Sequence, residues 1–139
     1  MNLEDVVENF EMLDDWEDRY AYLIEIGRSL PPLPDTLKTD ENLVPGCMSR
    51  AWLVTDTNNG LFHLQADSEA MIVRGLITIL VLACNGQPPK TVATYGFENL
   101  FEHLGLNAHL SAGRRNGFLS MVSKIRKAAQ TSGASAGKS

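Results

Sequence analysis

The sequence predicts an α+β fold in which helices pack around a small antiparallel sheet of about three strands. The sheet is indicated by two runs, AWLVTDT and LFHLQAD, that flank Asn58-Asn59-Gly60, because Asn-Gly favours a two-residue hairpin turn. The helices are indicated by apolar residues that recur three and four positions apart at the beginning, in the middle and at the end of the chain.

Two amphipathic helices open the chain. The first is predicted to have Asn2 as its N-cap, and the second to be capped by Asp14 or Asp15. The segment SLPPLPDTLK cannot continue the second helix, because its three prolines favour an extended crossing. The apolar faces of the two helices are predicted to carry Leu3, Val6, Val7, Phe10 and Leu13, and Trp16, Tyr20, Leu23, Gly27 and Leu30.

The hairpin has a predictable register. A type I′ turn at Asn59-Gly60 places one apolar face of the sheet toward the core, whereas a three-residue loop would shift the pairing by one residue. Leu43-Val44 is predicted to add a third short strand, with Pro-Gly-Cys-Met-Ser at the bend that follows it. The pairs expected from the two-residue turn are Thr57 with Phe62, Thr55 with Leu64, and Leu53 with Ala66.

The second half of the chain is predicted to be helical. Ser68 is expected to cap a central buried helix that runs to Cys84 and is apolar nearly all round. A Pro-Pro loop, a short helix over 97–104, the loop GLNAHLSAG and a final helix follow. Residues 1–130 are predicted to form one domain, and residues 131–139 a flexible C-terminal tail.

Composition narrows the class of function. The chain has 139 residues, 44% of them hydrophobic, and a formal net charge of -5, which argues against nucleic-acid and membrane-surface binders. Its beginning, MNLEDVVENF, resembles neither a signal nor a transit peptide. The longest apolar run, 75–84, has about half the length that a bilayer requires. We therefore expect a cytoplasmic protein.

The two cysteines have different surroundings. Cys84 ends the apolar run ILVLAC and is predicted to be a core residue, whereas Cys47 follows the Pro45-Gly46 turn. A disulfide between them is not expected in a reducing compartment. A loop tip gives a thiol both reach and direction, so Cys47 is the candidate reactive group, with Arg50 as the nearest cation in the sequence.

Other functions are compatible with these residues. Cys47 could belong to a metal- or cluster-binding scaffold, to a cysteine hydrolase that uses one of the three histidines, or to an interaction module in which it is incidental. No diagnostic spacing supports a metal site, and none is predicted. The segment SAGRRNG lacks the lysine of a phosphate-binding loop, and Arg114 or Arg115 in it is expected either to be simply exposed or to face an acidic partner or the cysteine loop.

Four blocks of the chain resemble the SufE family of sulfur-acceptor proteins, which includes the CsdE branch. The blocks are, in order, DDWEDRYAYLIEIGRSLPPLPD, ENLVPGCMSRAWLV, DSEAMIVRGLITIL and LGLNAHLSAGRRNGF. The resemblance implies a fold similar to IscU-type scaffolds and a carrier that is not itself an enzyme. Such proteins accept a sulfane sulfur from a cysteine desulfurase of the SufS or CsdA type, stimulate that enzyme, and pass the sulfur toward an iron–sulfur cluster assembly scaffold.

The resemblance also implies roles for particular residues. Cys47 corresponds to the persulfide acceptor, and Arg114 to an arginine implicated at the desulfurase interface. Gly46, in the same block as Cys47, and Glu69, in the block that starts the central helix, are further candidate partner-binding residues. No cofactor of the carrier's own is implied, because the pyridoxal phosphate belongs to the desulfurase, and a monomer or weak homodimer is expected. A persulfide is easily reduced or oxidised, so we predict a loop that shelters Cys47 at rest, with Met48 and Trp52 as candidate neighbours, and that swings out in the complex.

Overall fold

A computed structural model describes residues 1–47 and 49–138, with side chains through residue 132. It confirms the α+β class: one antiparallel hairpin is packed by helices on the described part of the chain. Two 3-10 turns, Asp35–Leu37 and Asp40–Asn42, lie between the second helix and the hairpin. The other elements are α1 (Leu3–Met12), α2 (Trp16–Arg28), β1 (Ala51–Asn58), β2 (Leu61–Ser68), α3 (Met71–Cys84), α4 (Pro89–Thr94), α5 (Phe97–His103), α6 (Leu106–His109) and α7 (Ala112–Lys138).

The first two helices begin at the predicted caps. The Asn2 side chain accepts a hydrogen bond from the Asp5 N–H at 2.9 Å, and the Asp5 carboxylate accepts one from the Asn2 N–H at 3.2 Å. Asp15 caps α2 by accepting from the N–H of Glu17. These side chains satisfy N–H groups that have no partner inside the helix, which explains where each helix starts.

The hairpin has the predicted register. Thr57 pairs with Phe62 and Leu53 with Ala66, and Asn59 and Gly60 have φ values of 55° and 78°, as a type I′ turn requires. The predicted apolar face is buried: Leu53, Phe62, Leu64 and Ala66 are at most 3% exposed.

The third strand was predicted wrongly. It is reduced to a single bridge between Leu43 and Trp52, with the Val44 N–H donating to the Ala51 carbonyl at 2.8 Å. The 3-10 turn Asp40–Asn42 ends just before this bridge, and the Pro45-Gly46 turn begins just after it. Only two extended residues remain between the turns, so no further ladder can form.

The central helix α3 is buried as predicted but begins at Met71, after Ala70, so Ser68 is not its N-cap. Ser68 ends β2 instead; its hydroxyl donates to the Arg50 carbonyl and accepts from the Ala70 N–H. A Cβ on Gly75 would overlap the Leu23 carbonyl of α2. The backbones of α2 and α3 therefore touch, which holds α3 firmly in the core.

Two segments predicted as loops are helical. The Pro-Pro segment starts α4, because proline suits the first turn of a helix, where its missing N–H costs nothing. GLNAHLSAG contains the short helix α6, which begins after Gly105 at a φ of 74°. The α7 backbone continues to Lys138 through most of the predicted tail; the flexibility of that tail and the domain boundary at residue 130 stay predictions. No helix within the described residues is both long and apolar enough to span a membrane.

Candidate functional site

Cys47 lies on the loop that leads from Leu43-Val44 to β1; Leu43 forms the isolated bridge with Trp52 of β1. The loop turns at Gly46, whose φ of 79° is readily reached only by glycine. Its base is held by the Val44–Ala51 hydrogen bond and by Lys124 of α7, whose ammonium donates to the Asn42 carbonyl at 3.4 Å. The thiol is thus carried at the end of a short, anchored bend.

The thiol faces a cavity of about 290 Å³ between α3 and α7. Ser49 and Cys47 line it from the loop, and Ser111, Gly113, Gly117 and the exposed Arg114 line it from the beginning of α7. The apolar part of its wall is formed by Val73, Leu76, Phe118 and Met121. Cys47 therefore has a mostly apolar space on one side, and Arg114 lines the same cavity.

The Cys47 sulfur sits where a side chain on α7 would otherwise be. A Cβ built on Gly117 would lie 2.8 Å from Sγ, closer than such atoms approach. Cys47 is partly buried against the core, and this burial raises the pKa of its thiol. In this position the group is a protonated thiol at neutral pH, because a raised pKa disfavours the thiolate.

Cys84 is a core residue, as predicted. It is fully buried, and burial raises the pKa of its thiol to about 12. Both cysteines are free thiols, so they form no disulfide with each other. Of the two, Cys47 is the more exposed.

The other predicted residues differ in their surroundings. Glu69 is exposed but forms an ion pair at 2.5 Å with Arg50, the residue that directly precedes β1. Trp52 is buried, with the cations of Lys38 and Arg50 over its ring at 5.5 and 5.6 Å, and it is not among the residues that line the cavity. Met48 lies outside the described residues.

The three histidines lie away from the cavity lining. His63 is exposed and paired in register with Asp56, and His103 contacts Glu11 at 2.7 Å. His109 is stacked on Trp16, with ring centroids 3.9 Å apart. No described residue among those lining the cavity is a histidine, and residues 1–47 and 49–138 contain no group of three or more His, Cys, Asp or Glu side chains that could hold a metal ion.

A largely buried ionic cluster at the end of β2 was missed by the sequence analysis. Asp67 accepts hydrogen bonds from the N–H groups of Leu33 at 3.0 Å and Ser68 at 2.8 Å, and it pairs with Arg74 and Lys38. Burial alone would raise the pKa of Asp67, but the two backbone hydrogen bonds and the two cations outweigh it and hold the pKa below its usual value. The signal in the sequence was an aspartate at a strand end followed seven residues later by an arginine in an otherwise apolar helix.

Comparisons with known proteins agree with this description. The SufE family profile, described as an Fe-S metabolism associated domain, matches residues 4–129. An uncharacterized SufE-like protein of Rhizobium etli is 42% identical over 133 residues, covering 93% of this chain and 90% of the relative. A second, from Rhizobium meliloti, is 38% identical over 133 residues, covering 93% and 95%.

A solved structure shares the fold. It is the solution structure of a hypothetical protein from Thermus thermophilus, which matches with a TM-score of 0.74, 21% identity and 93% coverage of both chains. The fold and site thus define a small α+β protein that carries one partly buried loop thiol beside an apolar cavity. The family match is decisive for the class: the chain belongs to the SufE family, and hence to iron–sulfur metabolism, where sulfur transfer is the fitting activity.

Proposed function

We propose that the protein is a sulfur carrier that accepts a sulfane sulfur as a persulfide on Cys47. The donor is a pyridoxal-phosphate cysteine desulfurase of the SufS or CsdA type, which the carrier also stimulates, and the recipient is an iron–sulfur assembly scaffold. The single observation that carries the proposal is the Cys47 thiol at a loop tip beside a mostly apolar cavity. The carrier has no turnover or cofactor of its own, acts in the cytoplasm, and is a monomer or weak homodimer.

The transfer is an exchange at sulfur. The Cys47 thiolate attacks the terminal sulfur of the desulfurase persulfide; a new S–S bond forms on Cys47, and the bond to the donor cysteine breaks, releasing the donor as a thiolate. The Cys47 proton leaves to solvent or to a group of the partner before attack. No histidine beside Cys47 is required, which agrees with the absence of one from the described cavity lining.

The resting position of the Cys47 thiol limits its reactivity before it is loaded. Burial raises the pKa of Cys47, so at rest the group is a poor nucleophile toward stray oxidants. Attack on the donor requires the thiolate and hence a more solvated position. The loop therefore turns outward in the complex, which its exposed Pro45 and Gly46 allow because neither is packed in the core.

The residues around the loop are suited to contact the desulfurase. Arg114 is exposed, lines the cavity and carries a charge that can pair with a carboxylate of a partner. Glu69 is also exposed and forms an ion pair with Arg50, the residue before β1. Gly46 presents backbone without a side chain and permits close approach. We assign these three residues to the partner surface.

Intact-mass measurement tests the carrier function. The protein is incubated with the desulfurase, pyridoxal phosphate and cysteine, and it should gain the mass of one sulfur atom. Cys47→Ser should abolish the gain, whereas the matched variant Cys84→Ser should retain it because that thiol is buried. Loading that survives Cys47→Ser, or no loading of the parent, contradicts the proposal.

A second measurement tests the partner surface. Arg114→Ala should raise the desulfurase concentration that gives half-maximal loading of Cys47. Arg28→Ala is the control, because Arg28 is an exposed arginine at the end of α2 and is not among the residues lining the cavity. Equal effects of the two substitutions would show that Arg114 does not belong to the partner surface. They would leave the proposed role of Cys47 unaffected.

A further inference from the structure

The cysteine loop rests on one turn of α7. Gly117 faces the Cys47 side chain: a Cβ there would lie 2.8 Å from Sγ and 3.7 Å from the Cys47 Cβ. One turn further along, the Ser120 hydroxyl lies 3.4 Å from the Cβ position of Gly46. Two consecutive loop residues thus contact two α7 positions that are three apart, as neighbouring turns of a helix allow.

We propose that Gly117 is a positioning residue that sets the resting place of the Cys47 thiol. The inference rests on the proposed sulfur-carrier function, which it deepens. Because Gly117 has no side chain, Sγ can occupy the space that a Cβ would fill. Gly117 is buried within α7, a helix whose neighbouring residues Phe118 and Met121 belong to the core. The helix is therefore fixed, and the loop is the part that can yield.

A methyl group at position 117 should move the thiol and leave the helix in place. The atom that it would overlap is Sγ, the end of a short side chain on an exposed bend, rather than backbone. Alanine is also a better helix former than glycine, so the change should stabilise α7 itself. Gly117→Ala should therefore shift the loop toward the outward, solvated position that the proposed transfer uses.

Displacement of the thiol has two chemical consequences. Burial raises the pKa of Cys47, so a more solvated thiol should ionise at lower pH and react faster with an alkylating agent. A persulfide on the displaced residue should also be less protected. Dithiothreitol then removes the terminal sulfur as hydrogen sulfide, Cys47 returns to a thiol, and the two dithiothreitol sulfurs form a cyclic disulfide.

The first test is alkylation of the folded protein by iodoacetamide as a function of pH. Gly117→Ala should raise the Cys47 rate several-fold at neutral pH and move the midpoint of the pH profile downward. The control is Asn116→Ala, a change at the adjacent exposed position of α7, which should leave the rate and midpoint unchanged. A purely structural role of Gly117 would not move the midpoint, so an unchanged profile in folded Gly117→Ala overturns the inference.

The second test is a double-mutant cycle read from urea unfolding midpoints. Gly117→Ala should raise the midpoint in a Cys47→Ala background, where Sγ is absent and the helix gains. When Cys47 is present, Gly117→Ala should raise the urea midpoint by less, or lower it. Equal changes in both backgrounds overturn the inference, as does failure of Gly117→Ala to fold in both; folding only in the Cys47→Ala background supports it.

Both tests are independent of sulfur loading. They use the thiol and no desulfurase, so they remain readable if Cys47 accepts no sulfur and the proposed function fails. When Cys47 does load, the persulfide of Gly117→Ala should lose its sulfur to dithiothreitol faster than that of the parent and of Asn116→Ala. Equal rates of loss would show that the space at Gly117 does not shelter the cargo, and would overturn that part of the inference.

Discussion

Replacement of Asp67 by asparagine would test what holds the end of β2 and the helix α3 to the end of α2 and the segment that follows it. The Asp67 side chain is 4% exposed and lies beside Arg74, which is 13% exposed. Asparagine keeps the shape of the side chain and one acceptor oxygen, and it removes the charge. Arg74 would then keep its hydrogen bonds to the Gly27 and Leu30 carbonyls, at 3.0 and 2.6 Å, but it would lose its counter-charge.

The expected cost follows from the burial of this pair. Removal of one partner from a buried ion pair costs about 3–5 kcal/mol, because the remaining charge is left uncompensated. The amide oxygen still accepts one backbone hydrogen bond, so we expect the lower end, about 3 kcal/mol. A domain of this size is stable by about 5–15 kcal/mol. The variant should therefore fold, with a melting temperature lower by roughly 10 °C.

The cost should also depend on pH. The pKa of Asp67 is lowered in the folded state. Its contribution to stability is therefore fully present above the pKa that an aspartate has in the unfolded chain, about 4. The contribution is lost as the pH falls through the lower folded-state pKa, because the carboxyl group then binds a proton in both states. The difference between parent and Asp67→Asn should thus be constant at neutral pH and shrink below about pH 4.

Urea unfolding at a series of pH values measures both effects. The control is Asp35→Asn, because Asp35 also contacts Lys38, at 3.7 Å, but its side chain is 98% exposed. Exposed pairs of this kind contribute about 0–1 kcal/mol, so the control should stay near the parent. The reasoning is refuted if the two variants lose similar stability, or if the loss in Asp67→Asn does not change between about pH 7 and about pH 3.

Three further predictions concern packing, reactivity and capping. Gly75→Ala should cost several kcal/mol and lower the urea midpoint strongly, because its Cβ would overlap the Leu23 backbone carbonyl, which cannot rotate away. Iodoacetamide should add one group to the native protein, on Cys47, and two after unfolding, because Cys84 is fully buried; peptide mapping that finds native Cys84 labelled would contradict this. Asn2→Ala should cost about 1 kcal/mol in thermal melts, because α1 loses its capping box, and an unchanged melt would contradict that assignment.

Local rules of the chain were sufficient for several elements of the fold. The cap at Asn2 and the turn at Asn59-Gly60 depend on residues close in sequence and were predicted correctly, and Asp15 is one of the two residues predicted to cap α2. The buried α3 was recognised from its apolar run. These features depend on hydrogen bonds and side-chain periodicity within one segment, which a sequence displays directly.

The features that were missed depend on contacts between distant segments. Leu43-Val44 was expected to extend the sheet, but turns on both sides limit it to one bridge. Ser68 was expected to cap α3, yet its hydroxyl is directed to the Arg50 carbonyl, 18 positions earlier. The contact of Gly117 with the Cys47 sulfur joins residues far apart in the chain, and no local pattern marks such a glycine as part of a thiol site.

Arg74 joins three parts of the chain through one planar group. Its guanidinium donates to the carbonyls of Gly27 and Leu30 and pairs with Asp67 at the end of β2, so these parts should not loosen one at a time. Amide hydrogen exchange at Leu33 and Ser68, whose N–H groups are bound to the same carboxylate, should accordingly occur with one shared opening free energy. The cysteine bend is not part of this junction, so its amides should exchange through smaller openings that leave the junction closed.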